Sequence, residues 1–294
     1  MKSGYVALIG RPNVGKSTLL NHLIGQKISI TSRRPQTTRY RILGIKTTSR
    51  GQAIYVDTPG MHESGSRALN RYMNRTANTA LLDVDVIVWV TDSLRWHSYE
   101  KTILARLGTV ECPVILAINK IDLIKDKKAC LPFLQEASQR YAFAELIPIS
   151  ALHSRNLNVL EAKIHALLPE GGFYFPEDRI TDRTERFLAA EMIREKLVRR
   201  LAQELPHCLA VEIERFDERG PVCHIHAIIW VERDGQKSIV IGKKGTILKQ
   251  VGEQARTDLE QLLDHKVYLN LWVKVKKGWS DNERALQSLG YWEQ

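Results

Sequence analysis

Four short segments constrain this chain more than anything else in it. GRPNVGKS (10–17), DTPG (57–60), NKID (119–122) and SAL (150–152) occur in that order, each directly after an apolar run: YVALI, AIYV, VILAI and ELIPI. These runs are short and rich in Val and Ile, and longer amphipathic stretches such as EKTILARLGTV separate them. That rhythm predicts buried parallel strands wrapped by helices. Ligands of such sheets bind at the carboxyl ends of the strands, which is where all four segments stand.

GRPNVGKS has the spacing GxxxxGK[ST] and precedes a helical segment, KSTLLNHLIG. Glycines there let backbone N–H groups curl around phosphate oxygens, and the helix N-terminus adds its dipole. Lys16 is expected to reach the β- and γ-phosphates, and the Ser17 hydroxyl to ligate Mg²⁺. DTPG would bring the Asp57 carboxylate to the Mg²⁺ shell through water and the Gly60 N–H to the γ-phosphate. In NKID, Asp122 can accept from both N1–H and the N2 amine of guanine. Adenine offers an acceptor and a C–H at those positions, so ATP should be rejected strongly. The Ala151 N–H would meet guanine O6.

Any one of these alone has an ordinary explanation: an Asp in a turn, an Asn-Lys at a strand end, a Ser-Ala cap. All four in order predict a GTPase domain with GTP/GDP and Mg²⁺ as ligands. Contacts are expected from Gly10, Asn13, Val14, Gly15, Lys16, Ser17 and Thr18, from Asp57 and Gly60, and from Asn119, Lys120, Asp122, Ser150 and Ala151.

The pattern breaks at LPEGGFYFPEDRITDRT (168–184), with two prolines, two glycines and no period, the composition of a linker. Beyond it, Leu188, Met192, Leu197, Leu201 and Leu205 fall near one helical face. CLAVEIERF and VCHIHAIIWVE alternate like paired strands joined at DERGP, and KVYLNLWVKVK forms another strand. Between them lies VIGKKGTILK (240–249), which lacks the first loop's spacing and any Ser or Thr placed for magnesium. A GxxG loop joining two helices is the signature of a KH domain, which clamps about four single-stranded nucleotides. Gly242 and Gly245 permit close approach, while Lys243, Lys244 and Lys249 supply charge without reading sequence. An apolar groove would come from Ile239, Ile241, Ile247 and Leu248. Residues 233–257 carry six basic against two acidic side chains.

The formal charge of +10 sits wholly in the first part: 23 basic against 13 acidic side chains in residues 1–173, and 20 against 20 in 174–294. An RNA site in the second part is therefore a local patch. His224 and His226 form an HxH pair without an evident third metal ligand, and read as surface histidines. No apolar run approaches the roughly 18 residues of a membrane span. The first residues are expected to enter a strand at once, with no signal peptide. Four cysteines without a CxxC pair fit reduced thiols and a cytoplasmic location. Nothing calls for more than a monomer.

With GRPNVGKS, PQTTR, DTPG, NKID, SAL, ITDR and VIGKKG in one chain, the sequence resembles the Era family, within the TrmE-Era-EngA-like GTPases, over its full length. The resemblance implies an α/β P-loop GTPase domain (mostly parallel sheet, helices on both faces) over 1–170, a linker over 171–183, and an α+β type II KH domain over 184–294. It also implies binding of the 3′ end of 16S rRNA, a part in small ribosomal subunit assembly, and peripheral association with the inner membrane. SITSRRPQTTRYRI (29–42) would be the switch loop. Alignment with related GTPases favours Thr38 over Thr37 as its Mg²⁺ ligand, and Lys16, Thr38 and Gly60 would act on the γ-phosphate. Arg33, Arg34, Arg39 and Arg41 read as a solvated face, with contact to RNA or a partner as the other reading. Asn13 stands where some related GTPases ligate K⁺; its alternative is a loop asparagine bonding its own backbone. Met61 replaces the glutamine that orients water in Ras-like GTPases, so intrinsic hydrolysis is expected to be slow. A membrane-surface signalling GTPase whose C-terminal domain binds protein is the competing reading.

Overall fold

The computed structural model describes residues 1–32, 34, 37–60, 68–79, 83–92, 94–201 and 205–291. Arg33 and Met61 lie outside these. The chain divides into two units. One is built from Met1–Ser29, the stretch from Thr38 through DTPG, and Met73–Asp182; the other from Ile30–Thr37, the start of the helix at Ala68, and Arg183 onward.

The first unit is a six-stranded sheet of order β2-β3-β1-β4-β5-β6. Its strands are β1 (Lys2–Ile9), β2 (Ile42–Thr48), β3 (Gly51–Asp57), β4 (Val86–Thr91), β5 (Val114–Ile118) and β6 (Glu145–Pro148). All neighbours are parallel except β2, which runs antiparallel to β3. Every residue of β3, β4 and β5 is buried, as both faces of a parallel sheet demand. The intervening helices are α1 (Lys16–Ile24), α2 (Ala68–Thr79), α3 (Ser98–Leu107), α4 (Cys130–Arg140) and α5 (Leu157–Leu167). Ile87 and Leu116 pack with Ile103 and Leu107 of α3 and Phe133 of α4, and each such fully buried Ile or Leu contributes roughly 1.5–3 kcal/mol.

The apolar-run pattern missed β2, the outer strand on one side. Its outward amides need partners, and residues 171–183 supply them. Ile45 N–H donates to Ile180 O at 2.8 Å and Leu43 N–H to Asp182 Oδ1 at 3.0 Å. Gln52 adds a second clasp: its Oε1 accepts from the Tyr174 and Phe175 amides at 2.9 and 3.0 Å, and its Nε2 donates to Phe175 O at 2.9 Å. A segment without period or helix signal is thus laid along the first unit by backbone pairing. Arg39 departs from the expected solvated face: it is 1% exposed. Arg41 is exposed and Arg34 half-buried.

The second unit follows the order α6 (Glu185–Arg200), β7 (Leu209–Asp217), β8 (Val222–Val231), α7 (Asp234–Ile241), α8 (Thr246–Leu263), β9 (Lys266–Val275), α9 (Glu283–Ser288). Its sheet is ordered β7-β8-β9, antiparallel then parallel. Alternate residues Cys223, Ile225, Ala227, Ile229 and Val231 enter one core with Leu188-side residues of α6 such as Met192 and Leu197, and with Val251 and Leu259 of α8. Thr184 caps α6 by accepting from the Phe187 amide at 3.3 Å. The helix ends at Arg200, so Leu205 of the expected apolar face lies beyond it in a short 3₁₀ turn. Four charged side chains of α6, Glu191, Arg194, Glu195 and Lys196, are buried as well. Arg194 Nε pairs with Glu191 at 2.6 Å and Lys196 with Asp258 at 2.5 Å, while the exposed Arg199 reaches Glu195 at 3.0 Å.

Within this unit α6 and the residue that ends it also hold Thr31, Arg34 and Thr37. Glu195 accepts from Thr31 N–H at 2.8 Å, Arg199 Nε donates to Thr31 O at 3.0 Å, Arg34 donates to Leu201 O at 3.3 Å, and Arg194 donates to Thr37 O. Ser29 and Thr38, which flank Ile30–Thr37, belong to the first unit.

Candidate nucleotide site and nucleic-acid interface

β1 ends at Ile9, the chain turns through 10–15, and α1 starts at Lys16 with no capping side chain and no acid in its first turn. Its free N–H groups suit an anion. Gly15 is required twice over: φ is +102°, and a Cβ would sit 2.3 Å from Asn119 Nδ2. Lys16 is buried, its ammonium donating to Gly10 O at 2.8 Å and Arg11 O at 2.9 Å. Burial lowers its pKa to about 8, and Asp57 pulls it partly back.

Ser17 Oγ donates to Asp57 Oδ2 at 2.7 Å and lies 2.8 Å from Thr38 Oγ1. Ser29 Oγ donates to the same Asp57 oxygen at 2.9 Å. Asp57 is fully buried and its other oxygen, Oδ1, has no hydrogen-bond partner. Burial raises its pKa, against the pull of Lys16, Ser17, Ser29 and Thr58. A buried, half-satisfied carboxylate beside two hydroxyls is a donor set that fits a hard divalent cation such as Mg²⁺. Of the two switch threonines, Thr38 stands in this cluster. Thr37 Oγ1 bonds instead to Ser32 Oγ at 2.6 Å and Arg34 O at 2.7 Å. Gly60 is packed against Pro12, where a Cβ would lie 2.9 Å from Pro12 Cγ.

The later segments hold the first loop from behind. Asn119 Nδ2 donates to Val14 O at 2.8 Å, and Lys120 Nζ donates to Asn13 O at 2.7 Å. Ser150 Oγ donates to Asp122, whose pKa is lowered chiefly by that bond. Ala151 N–H, expected to face guanine O6, here donates to Asn119 Oδ1 at 2.8 Å. Asn13 adopts the left-handed conformation, φ 65°. Thr18 follows Ser17 in the first turn of α1, partly buried.

In the second unit, α7 ends at Ile241 and the loop turns through Gly242 (φ +75°, ψ 170°), Lys244 (φ 53°) and Gly245 (φ +76°) into α8. Lys243, Lys244 and Lys249 are exposed, whereas Ile241 and Ile247 are half-buried. α8, like α1, begins without a capping side chain or an acid in its first turn. Leu248 is partly buried against the core, and Ile239 is 52% exposed. The described residues contain no metal-binding cluster of His, Cys, Asp or Glu, His224 and His226 included.

The 50S ribosome-binding GTPase family matches residues 5–120, and the KH domain family matches 204–280. The GTPase Era of Pseudomonas aeruginosa PAO1 is 59% identical over 290 residues, covering 99% of this chain and 95% of that protein. The chain belongs to the Era GTPase family. Era solved in complex with MgGDPNP and nucleotides 1506–1542 of 16S ribosomal RNA is 41% identical, with a TM-score of 0.95 over 99% of both chains. A point variant of Era from Aquifex aeolicus bound to GDP·AlF₄⁻ has the same identity, coverage and TM-score.

Two members of the site escaped sequence reasoning. Asp92 closes β4 and bridges Arg11, at 2.8 Å, and Lys120, at 2.6 Å. Its signal was present, since it stands after an apolar run as Asp57 does. Ser29 had none: its partner Asp57 is 28 residues away.

Proposed function

We propose that this Era-family chain is a GTP-hydrolysing switch that clamps the 3′ end of 16S rRNA with its GKKG loop and acts in small ribosomal subunit assembly. The observation that carries this reading is the pairing, in one chain, of the Ser17–Thr38–Asp57 cluster with the Gly242–Gly245 loop. It is supported by the family member solved with both MgGDPNP and 16S rRNA nucleotides 1506–1542.

In this scheme Ser17 and Thr38 ligate Mg²⁺ directly and Asp57 does so through water. The metal's part is to neutralise charge shared by the β- and γ-phosphates. Lys16 reaches the same phosphates, and Gly60 donates its amide to the γ-phosphate. Gly10, Asn13, Val14, Gly15 and Thr18 line the phosphates. Asn119 and Lys120 hold that loop in shape, and Asp122, oriented by Ser150, reads guanine. On guanine binding Ala151 N–H exchanges Asn119 for O6. In the second unit Lys243, Lys244 and Lys249 neutralise RNA phosphates, and Ile241 and Ile247 contact bases.

Asn13 as a K⁺ ligand would add positive charge where an arginine finger acts in other GTPases. Hydrolysis should then run faster in K⁺ than in Na⁺ at equal ionic strength, and Asn13→Ala should abolish the difference. Equal rates in the two salts for the unsubstituted protein would remove K⁺ from the scheme.

The cytoplasm, where the small subunit is assembled, is the proposed location; peripheral association with the inner membrane rests on the family resemblance. No helix among the described residues is long and apolar enough to cross a membrane.

The switch reading is tested by measuring binding of a labelled 16S 3′-end oligonucleotide with a GTP analogue, with GDP and without nucleotide. Affinity is expected to rise with the GTP analogue, within the about 5–150-fold range of typical couplings, and RNA should tighten nucleotide binding by the same factor. Thr31 and Thr37 hang on Glu195 and Arg194, while Thr38 stands at Ser17. Glu195→Ala should therefore bring the ratio toward one while leaving GDP-state RNA binding intact. An unchanged ratio in Glu195→Ala would show that this anchor carries no coupling, and a ratio of one in the unsubstituted protein would end the switch reading.

A further inference from the structure

The β7–β8–β9 sheet has one face in the core and one open. β8 and β9 send Cys223, Ile225, Ala227, Ile229 and Val231, and Val267, Leu269, Leu271, Val273 and Val275, into contact with the helices. The alternate residues face the other way. In register across this open face lie His224 opposite Tyr268, His226 opposite Asn270, Ile228 opposite Trp272, and Trp230 opposite Lys274. Tyr268 is 51% and Trp272 57% exposed. Ile228 beneath them is buried at 5% exposure, so the exposed apolar surface here is that of the rings themselves, and large exposed rings of this kind mark an interaction site.

We propose that this open face is a second binding surface for single-stranded RNA, on which bases stack against Tyr268 and Trp272. The inference rests on the RNA-binding reading above and extends it beyond the GKKG loop. The two residues are four apart on one strand, about 13 Å at the rise of a β-strand, so they serve separate bases. The Tyr268 ring is already flanked by His224 and His226, with centroids 5.3 and 6.3 Å away.

Charge favours the occupant by a small positive excess: four cations, Arg215, Arg219, Lys274 and Lys276, stand with three carboxylates, Glu212, Glu214 and Asp217. Lys274 and Lys276 lie 6.0 and 5.6 Å from the Trp230 ring centroid, and the carboxylates share their partners with these cations or with the indole. Asp217 pairs with Arg215 and Arg219 at 2.8 and 2.9 Å, Glu212 accepts from the Trp230 indole at 2.7 Å, and Glu214 lies 3.9 Å from Lys274. Aromatic faces bounded by cations suit a ligand that carries both π-surfaces and phosphates, which single-stranded nucleic acid does. The location is continuous with the first RNA site: β9 is an outer strand of the sheet, and α7, which ends in the GKKG loop, packs against it.

The experiment uses the full chain and two labelled oligonucleotides ending in the 16S 3′ sequence, one of about six nucleotides and one of about twenty, the shorter matched to a KH clamp. Tyr268→Ala/Trp272→Ala should weaken the long probe roughly ten- to a hundredfold, the scale of one or two lost stacks, and leave the short probe unchanged. Tyr268→Phe/Trp272→Phe should restore binding, because stacking needs only the ring. Thermal unfolding and RNA-free GTP hydrolysis of both variants should match the unsubstituted protein, since both side chains are more than half exposed. Equal affinity of the unsubstituted protein and the alanine variant for the long probe would overturn the proposal while leaving the clamp in place. Failure of the short probe to bind, with the alanine variant still losing the long one, would remove the clamp and keep the stacking face. Loss of a small-subunit protein contact with RNA affinity unaltered would make this a protein surface and overturn the proposal.

Discussion

Asp122→Asn is expected to exchange GTP for xanthosine triphosphate as the preferred nucleotide. Asp122 accepts from Ser150, and that bond holds its carboxyl below the usual carboxylate range. The group is thus ionised at neutral pH and acts only as an acceptor, which matches the N1–H and N2 amine of guanine. An asparagine presents one oxygen and one N–H pair. It still accepts from N1–H, but its amide now faces the guanine amine donor to donor. Xanthine has a carbonyl in place of that amine, and the mismatch disappears. A site built on hydrogen bonds rejects the wrong partner by about 10⁴–10⁵. A fall of at least about 10³ in GTP affinity, with a gain for xanthosine triphosphate, is therefore expected in direct titrations. Ser150 can still donate to the asparagine oxygen, so the loop should hold and thermal stability should change little. Equal loss of both nucleotides in a folded variant would mean that Asp122 supports the loop rather than reading the base.

The second large effect is on RNA. At φ +75° Gly242 is strained by any side chain, and a Cβ there would lie 2.6 Å from Ile247 Cγ1. Gly242→Asp adds a carboxylate where a phosphate is expected beside Lys243 and Lys244. RNA binding should fall by about a hundredfold or more, the combined cost of a lost close approach and a repelled charge. Because that variant also distorts the loop, Lys243→Ala/Lys244→Ala gives an independent measure. Removing two phosphate contacts should make the slope of log affinity against log salt shallower by about 1.4, with RNA-free GTP hydrolysis unchanged. Unaltered RNA affinity in both variants would place the 16S contact elsewhere on the chain.

The placement of the four motifs at strand ends was legible because each is local. A strand, a turn and a helix start suffice to aim Lys16, Asp57 or Asp122, and those elements follow from runs of Val and Ile closed by Gly, Pro or Asn. The GKKG loop was legible for the same reason. The position of residues 171–183 was not. They carry no period, and what places them is the outer edge of β2 through Leu43 and Ile45, together with Gln52 of β3 at a separation of 122 and 123 residues. Arg39 was misread as solvated because a basic side chain in a polar loop has no local mark of burial. Helix α6 shows the same limit. Its leucines declared an apolar face, but Glu195 and Lys196 are also buried, and they are matched by Thr31 and Asp258, at separations of 164 and 62 residues.

The sequence by itself thus determined the two folds, the family and the place of each motif loop at an element's end, since motif geometry depends on neighbours within a few residues. Tertiary structure alone decided that α6 holds Thr31 and Thr37, that Ser29 joins Asp57, and which face of the β7–β8–β9 sheet is left open. Each of those is a matter of which distant surface satisfies a backbone amide or a buried charge. A polar group needs a partner wherever it is buried, but nothing in its own neighbourhood specifies where in the chain that partner lies.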